Sequence, residues 1–304
     1  MIFKQRPEDF IVQEVLHLPL GQGEYSYFLL KKKEWSTLDV VERLEKFLGT
    51  NVGFAGNKDK HAVTEQFISV LHVPKKRVEQ FQLPGVSLEF IGKGKRPISL
   101  GMLEGNKFKI LLREVNRELP QVDFIENYFD EQRFGKHNCV LGKILVQRKF
   151  KEASALLGKD IFLLSKKRLR FYLSAYQSYL FNAYLRMYLK KNASLKVSYS
   201  LGEFFFVKKI KKNFQIPLVS FDSEIDKIYA KLLKKEGLTP KDFLIREIPD
   251  LISETSFRDA FVPVQDFQST FFKEEKKQVV SFYLQKGSYA TIVIKKMLEI
   301  FKYK

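Results

Sequence analysis

The order of secondary-structure signals along the chain predicts an α+β fold. Strand signals come first, then helical ones, then a mixed stretch, then a strand followed by a helix. Strands and helices do not alternate as a doubly wound sheet requires. The chain has 304 residues, 45% of them hydrophobic, which is ample for a sizeable core and favours two domains or one domain with a large insertion.

"FIVQEV" (10–15) and "YSYFLL" (25–30) read as strands because aromatic and branched residues dominate them, and Gly21 and Gly23 punctuate the gap between them. A helix follows. Ser36 and Thr37 are candidate N-caps, with Asp39 three residues after Ser36. Val40, Val41, Leu44, Phe47 and Leu48 then fall on one face, and Gly49 is the expected stop. "QFISVL" (66–71) and "FKILLREV" (108–115) are further strands. "LSAYQSYLFNAYLRMYL" (173–189) predicts a helix that Ser174 caps, its aromatic stripe at three- and four-residue steps facing a core. Residues 190–258 hold no chemical motif, and the chain ends as a strand, "VVSFYLQ", then Gly287, then a helix, "GSYATIVIKKMLEI".

The formal net charge of +18 favours a polyanionic partner. Basic clusters at 31–33, 75–77, 93–96, 166–168 and 208–212 suit a long electrostatic track for nucleic acid. The lone cysteine, Cys139, permits no intrachain disulfide and suits a reducing compartment, and the start of the chain has no apolar signal core. No apolar run is long enough to span a bilayer, so a soluble, cytoplasmic protein is expected. His17, His61, His72 and His137 lack metal-ligand spacing, apart from His137 with Cys139, which make only two groups. "GKGKRP" (92–97) places a proline where a phosphate-cradling helix would begin, and no nucleophile elbow occurs.

What remains is a carboxylate in an unusual setting. In "FAGNKDKHAVTEQ" (54–66), Asp59 lies between Lys58 and Lys60 just before a strand. Read by itself, it is a turn aspartate bonded to the backbone of the next strand. The stretch, however, resembles the central motif of the TruD family of pseudouridine synthases. Other pieces match that family in order: "KQRPEDFIVQE" (4–14), "LGMLEGNKFKILLRE" (100–114), "NYFDEQRFG" (127–135), "LSAYQSYLFN" (173–182) and "GSYATIVIKKM" (287–297). The resemblance implies the pseudouridine synthase fold, a mixed and mostly antiparallel sheet with flanking helices, carrying an inserted α/β domain. It places the catalytic domain at 1–155 and 259–304 and the inserted domain at 156–258. Between Gly135 and Asn138, and in the inserted domain, the chain looks shorter than its relatives.

The implied reaction is isomerisation of uridine to pseudouridine in tRNA, at uridine 13 in the best-known bacterial case, by a monomer with no cofactor, metal or membrane. The family's nucleophile aligns on Asp59, its basic partner on Lys4, its aromatic beside the target base on Phe129, and an active-site asparagine on Asn127; Phe10 falls on a pocket position. A carboxylate of ordinary acidity is ionised at neutral pH and needs no general base to act as a nucleophile. Attack on ribose C1′, elimination at C2′ to a glycal, and addition to uracil C6 all stay open. Lys58 and Lys60 flank Asp59 and point away from it in an extended segment, which leaves them phosphate contact or loop support. Arg133 is a phosphate contact or a structural ion pair, and His61 a surface residue. The competing readings are an RNA-binding protein without catalysis, which has no need of Asp59, and a membrane-surface protein, which would want a basic amphipathic helix.

Overall fold

The computed structural model describes residues 2–210, 212–252 and 254–302. Packing divides the chain into two compact units, Met1–Asp123 with Pro263–Ala290 and Phe124–Val262 with Thr291–Lys304. In chain order the first unit begins with β1 (Ile2–Phe3), β2 (Phe10–Val15), β3 (Tyr25–Lys33), α1 (Thr37–Leu48), β4 (Val52–Phe54), β5 (Val63–Leu71), α2 (Lys75–Glu79), β6 (Val86–Gly94) and β7 (Gly105–Arg113). The second unit follows with β8 (Phe124–Glu126), α3 (Asn138–Val146), α4 (Phe150–Leu157), α5 (Lys166–Leu189), β9 (Leu195–Tyr199), β10 (Gly202–Phe206), β11 (Gln215–Leu218), α6 (Lys227–Glu236), β12 (Ser256–Asp259) and β13 (Phe261–Pro263). The chain returns to the first unit for β14 (Gln265–Phe272) and β15 (Lys277–Gln285), and α7 (Ala290–Lys302) then rejoins the second unit.

Among the described residues, the first unit holds a nine-stranded sheet of order β14-β15-β7-β2-β5-β3-β6, with β1 added on β7 and β4 on β5. Its ladders are antiparallel except for β2 on β5, where Ile11, Val12 and Gln13 lie opposite Val63, Thr64 and Glu65. That makes the α+β class, with a mostly antiparallel sheet, a property of the structure. The parallel pair decides where chemistry can gather. It sets the starts of β2 and β5 side by side, so the segments leading into both strands arrive at the same end of the sheet.

Helix α1 covers one face of this sheet. Ser36 caps it, its Oγ accepting from the Asp39 N–H at 3.1 Å, and Gly49 ends it at φ 72°. Val40, Val41 and Leu44 pack on Phe28, Leu30, Ile68 and Val70. Along the same face the cross-strand pairs change character. Phe28 lies opposite Ile68, Leu30 opposite Gln66, and Lys32 opposite Thr64, all buried. The apolar core thus grades into buried polar groups as β3 and β5 approach the loop carrying Asp59.

Several boundaries differ from the sequence expectation. The strand expected at 25–30 runs on to Lys33, because Lys32 continues the inward alternation of Phe28 and Leu30. Helix α5 starts at Lys166, with Ser165 at its N-cap position, so Ser174 is an interior residue whose Oγ donates to Phe171 O at 3.0 Å. The reason is that α5 is buried on most sides beyond its basic first turn, which blurs the 3.6-residue contrast that marks a helix start. The second compact unit begins at Phe124, and within it α5 packs against α3 as well as against α6, β10 and β11. No described helix is long and apolar enough to cross a membrane.

The turn ahead of β2 is fixed by a buried carboxylate. Asp9 accepts from Arg113 Nε at 3.0 Å and Nη2 at 2.6 Å, and from the Arg6 N–H at 3.1 Å. The guanidinium holds the Asp9 carboxyl below its usual pKa, outweighing the opposing effect of burial. A depressed folded pKa means that this stabilisation is full above the unfolded value and fades as pH falls through the folded one. Asp9→Asn should therefore cost about 2–4 kcal/mol at pH 7. Urea unfolding at pH 7 and in strong acid checks this: the gap between wild type and variant should close progressively below about pH 4.

Candidate active site

Asp59 sits in the loop between β4 and β5, and Lys4 in the link between β1 and β2. The parallel β2–β5 pairing brings the two together: Lys4 Nζ donates to Asp59 Oδ2 at 2.6 Å. Their side chains are 16% and 32% exposed, so the carboxylate is paired yet open to an incoming group. Lys4 Nζ also stands 3.8 Å from the centroid of the Phe10 ring. Phe10 is buried against Phe3 and Phe108, so its π face and the Asp59 carboxylate hold the ammonium between them. Lys4 has φ 56°, a left-handed conformation that costs a non-glycine residue about 1 kcal/mol or more.

The Asp59 loop is tied down from beneath. Thr37, the first residue of α1, donates through Oγ1 to Gln66 Oε1 at 2.7 Å and accepts from the Lys58 N–H at 2.9 Å. Gln66 Nε2 in turn donates to Gly56 O at 3.2 Å. Lys32, only 2% exposed, aims its ammonium at three backbone carbonyls: Trp35 O at 2.7 Å, Asp59 O at 2.9 Å and Lys58 O at 3.4 Å. Burial pulls the Lys32 pKa down to about 8, against the opposing attraction of Asp59.

Lys58 turns away from solvent. Its ammonium pairs with Glu14 of β2, both side chains being buried, and Glu14 also accepts from the Phe67 N–H at 3.2 Å. Of the two roles open to Lys58, this geometry excludes phosphate contact and leaves loop support. Lys60 and His61 are exposed. The 31–33 cluster is not a free basic face either: Lys31 pairs with Glu65 at 3.4 Å, Lys33 pairs with Glu8, and Lys32 is buried. The residues of the 75–77 and 166–168 clusters, and Lys93, Lys95 and Arg96, are exposed, whereas Lys211 of the 208–212 cluster lies outside the described residues.

In the second unit the structure sets Phe129 and Arg133 against α5. The Phe129 N–H donates to Asn182 Oδ1 at 2.9 Å and Asn182 Nδ2 donates back to Phe129 O at 2.8 Å. The Phe129 ring meets Phe181 edge-on at 5.5 Å. Arg133 Nε donates to Ser178 Oγ at 3.2 Å, one helical turn before Asn182. Asp130 pairs with Lys295 of α7, and the buried Glu126 with Lys296 at 3.0 Å. Burial raises the Glu126 carboxyl pKa against the pull of Lys296. Three motifs far apart in sequence, at 127–135, 173–182 and 287–297, are thus one hydrogen-bonded assembly.

Two of the expected residues have partners within the protein. Asn127 is buried, and its side chain is engaged within the protein: Nδ2 donates to Asp259 O at 3.0 Å and Oδ1 accepts from Arg258 Nη2 at 2.6 Å. The same amide holds Arg258 in place, and the Arg258 Nε donates to Asn127 O at 2.9 Å. Phe129 is 7% exposed, with the Arg258 guanidinium 4.0 Å from its ring centroid. Sequence reasoning missed Arg258, which lies in the stretch without motifs, and it missed Lys32, Glu14, Thr37 and Gln66. Only Glu14 and Gln66 fall inside quoted motifs; nothing local marks Lys32 or Arg258.

The fold and these paired motifs define a protein of the pseudouridine synthase class. The family model for tRNA pseudouridine synthase D (TruD) matches residues 1–162 and 207–297. The chain is 30% identical to tRNA pseudouridine synthase D of Aquifex aeolicus, over 97% of each chain. It is 28% identical to the probable tRNA pseudouridine synthase D of Nanoarchaeum equitans, over 98% of each. Among solved structures, the putative tRNA pseudouridine synthase D from Methanosarcina mazei shares the fold with a TM-score of 0.66, at 22% identity, over 97% of this chain and 92% of that one. The chain belongs to the tRNA pseudouridine synthase D family, a family of isomerases.

The buried Glu14–Lys58 pair under the loop carries a double-mutant prediction. Glu14→Gln strands the Lys58 charge in the interior and should cost about 3–5 kcal/mol. Glu14→Leu combined with Lys58→Met removes both charges and should recover most of that loss. Thermal unfolding of the two variants and wild type at matched pH checks it.

Proposed function

We propose that this chain isomerises uridine to pseudouridine in tRNA, at position 13, with Asp59 as the nucleophile and Lys4 as its charge partner. The observation that carries this reading is the 2.6 Å pair between Lys4 and Asp59 at one end of the sheet, in a chain of this family. The ammonium holds the carboxylate in place by a direct hydrogen bond, and its own position is set by the Phe10 ring. A carboxylate so prepared serves attack at C1′, assistance to elimination at C2′, or addition at C6. Each route breaks the N1–C1′ bond, turns the uracil and rejoins it through C5. Each also needs the base out of its stack, since no side chain reaches these atoms inside a helix.

Asn127 contributes through Arg258, whose guanidinium it orients over Phe129. A base stacked on that ring requires Arg258 to move from its face, and such a stack is worth about 1–3 kcal/mol. Arg133 and Lys60 are assigned to the RNA backbone. Residues 156–258 form the inserted domain of the family, which includes the 163–206 stretch that the family model leaves unmatched. The enzyme works as a cytoplasmic monomer on tRNA, without cofactor, metal or membrane.

Replacing the C5 hydrogen with the new glycosidic carbon releases it to water. With 5-tritiated uridine RNA, Asp59→Asn should abolish tritium release and keep RNA affinity within about threefold of wild type, since nucleic-acid affinity rests on backbone charge. Wild-type release from that variant overturns the catalytic assignment. Affinity for tRNA should fall at least about tenfold between 50 and 200 mM salt as counterions are released. Filter binding across that range reads it, and a flat response argues against an electrostatic interface.

A further inference from the structure

We propose that Lys32 is a positioning residue for this reaction: its buried ammonium clamps the backbone of the Asp59 loop and thereby aims the Asp59 carboxylate, without touching the substrate. The inference rests on Asp59 acting as the nucleophile.

The geometry is specific. Lys32 lies on β3 opposite Thr64 on β5, one residue from the start of that strand and five residues beyond Asp59. Its three acceptors come from two segments. Trp35 O belongs to the turn into α1, whereas Lys58 O and Asp59 O belong to the catalytic loop. One ammonium with three donors is divided among three carbonyls and so fastens the loop to the helix start. Fixing the carbonyl of residue 59 fixes the peptide plane beside its own Cα, and with it the direction of the Cα–Cβ bond that carries the carboxylate. Lys4 holds the far end of the same side chain at 2.6 Å, so Asp59 is gripped at both its backbone and its carboxylate.

A lysine fully withdrawn from water is costly to place, and a neutral residue would fill the slot more cheaply. The charged groups acting on Lys32 are Asp59 and Lys58 in the loop and Asp39 on α1. Asp59 and Asp39 favour its protonated form, Lys58 and burial oppose it, and the balance puts its pKa at about 8. Above that pH the neutral amine has one donor fewer and a lone pair among the carbonyl oxygens, so the clamp slackens.

The test is single-turnover tritium release from 5-tritiated uridine tRNA at saturating enzyme, between pH 6.5 and 9.5, with tRNA affinity and thermal unfolding measured alongside. Wild type should lose rate above about pH 8 with unchanged affinity. Lys32→Met should fold, bind tRNA within about threefold, and turn over about 100-fold more slowly, as a misplacement near 1 Å costs. Its residual rate should lack the alkaline fall. A Lys32→Met rate within about threefold of wild type, or loss of tRNA binding in step with rate, overturns the proposal, as does an unchanged alkaline limb in the variant. If Lys32→Met does not fold, the wild-type profile decides: a flat rate across the range overturns the clamp, and a fall centred near pH 8 without loss of affinity sustains it. Asp59→Asn run in parallel separates the two readings, since full activity there removes the nucleophile whatever Lys32 does.

Discussion

The parallel pairing of β2 with β5, in a sheet whose other ladders are antiparallel, governs the candidate site. Two strands joined by a hairpin would place the start of one beside the end of the other. A parallel pair does the opposite, at the cost of a long connection that here runs through β3, α1 and β4. Because of it, a cation from the beginning of the chain and a carboxylate 55 residues later meet at hydrogen-bond distance. Lys32 and Arg113 arrive at the same end from antiparallel neighbours, at the closing ends of β3 and β7. Chemistry accumulates at one end because strand direction delivers it there.

Both units hold ion pairs with at least one buried member. In the first, Glu14 pairs with Lys58 and Asp9 with Arg113; in the second, Glu126 pairs with Lys296 and Asp130 with Lys295. Hydrophobic pairs of the same volume would often be equally stable or more so. What an ion pair adds is direction: each oxygen has one set of partners at one distance, and the loop attached to it has one place to go. The gradation along β3 and β5, from Phe28 and Ile68 to Lys32 and Thr64, shows the sheet exchanging bulk adhesion for direction as it nears Asp59.

Much of this was legible in the sequence where local rules operate alone. The cap at Ser36, the stop at Gly49 and the strand at 10–15 follow from short-range preferences that tertiary structure had no reason to override. Asp59 and Lys4 were legible through their motifs, not through their chemistry, since a carboxylate between lysines looks like any polar turn. Lys32 was not legible, because in "LLKKKEW" three consecutive lysines look alike and only the alternation of β3 sends the middle one inward. Arg258 and the true start of α5 stayed hidden for a related reason: their roles come from partners distant in sequence. The basic cluster at 31–33 misled most, since charge read from a row of letters says nothing about which face each residue occupies.

The reciprocal bonds between Asn182 and Phe129 have a consequence for the loop they hold. A primary amide has the same donor and acceptor as a peptide group, and here it meets the N–H and C=O of a single residue as a neighbouring strand would. A helix side chain therefore impersonates one rung of a sheet. The backbone at Phe129 is thereby held at both its N–H and its C=O by a helix side chain, so its register is dictated by the course of α5.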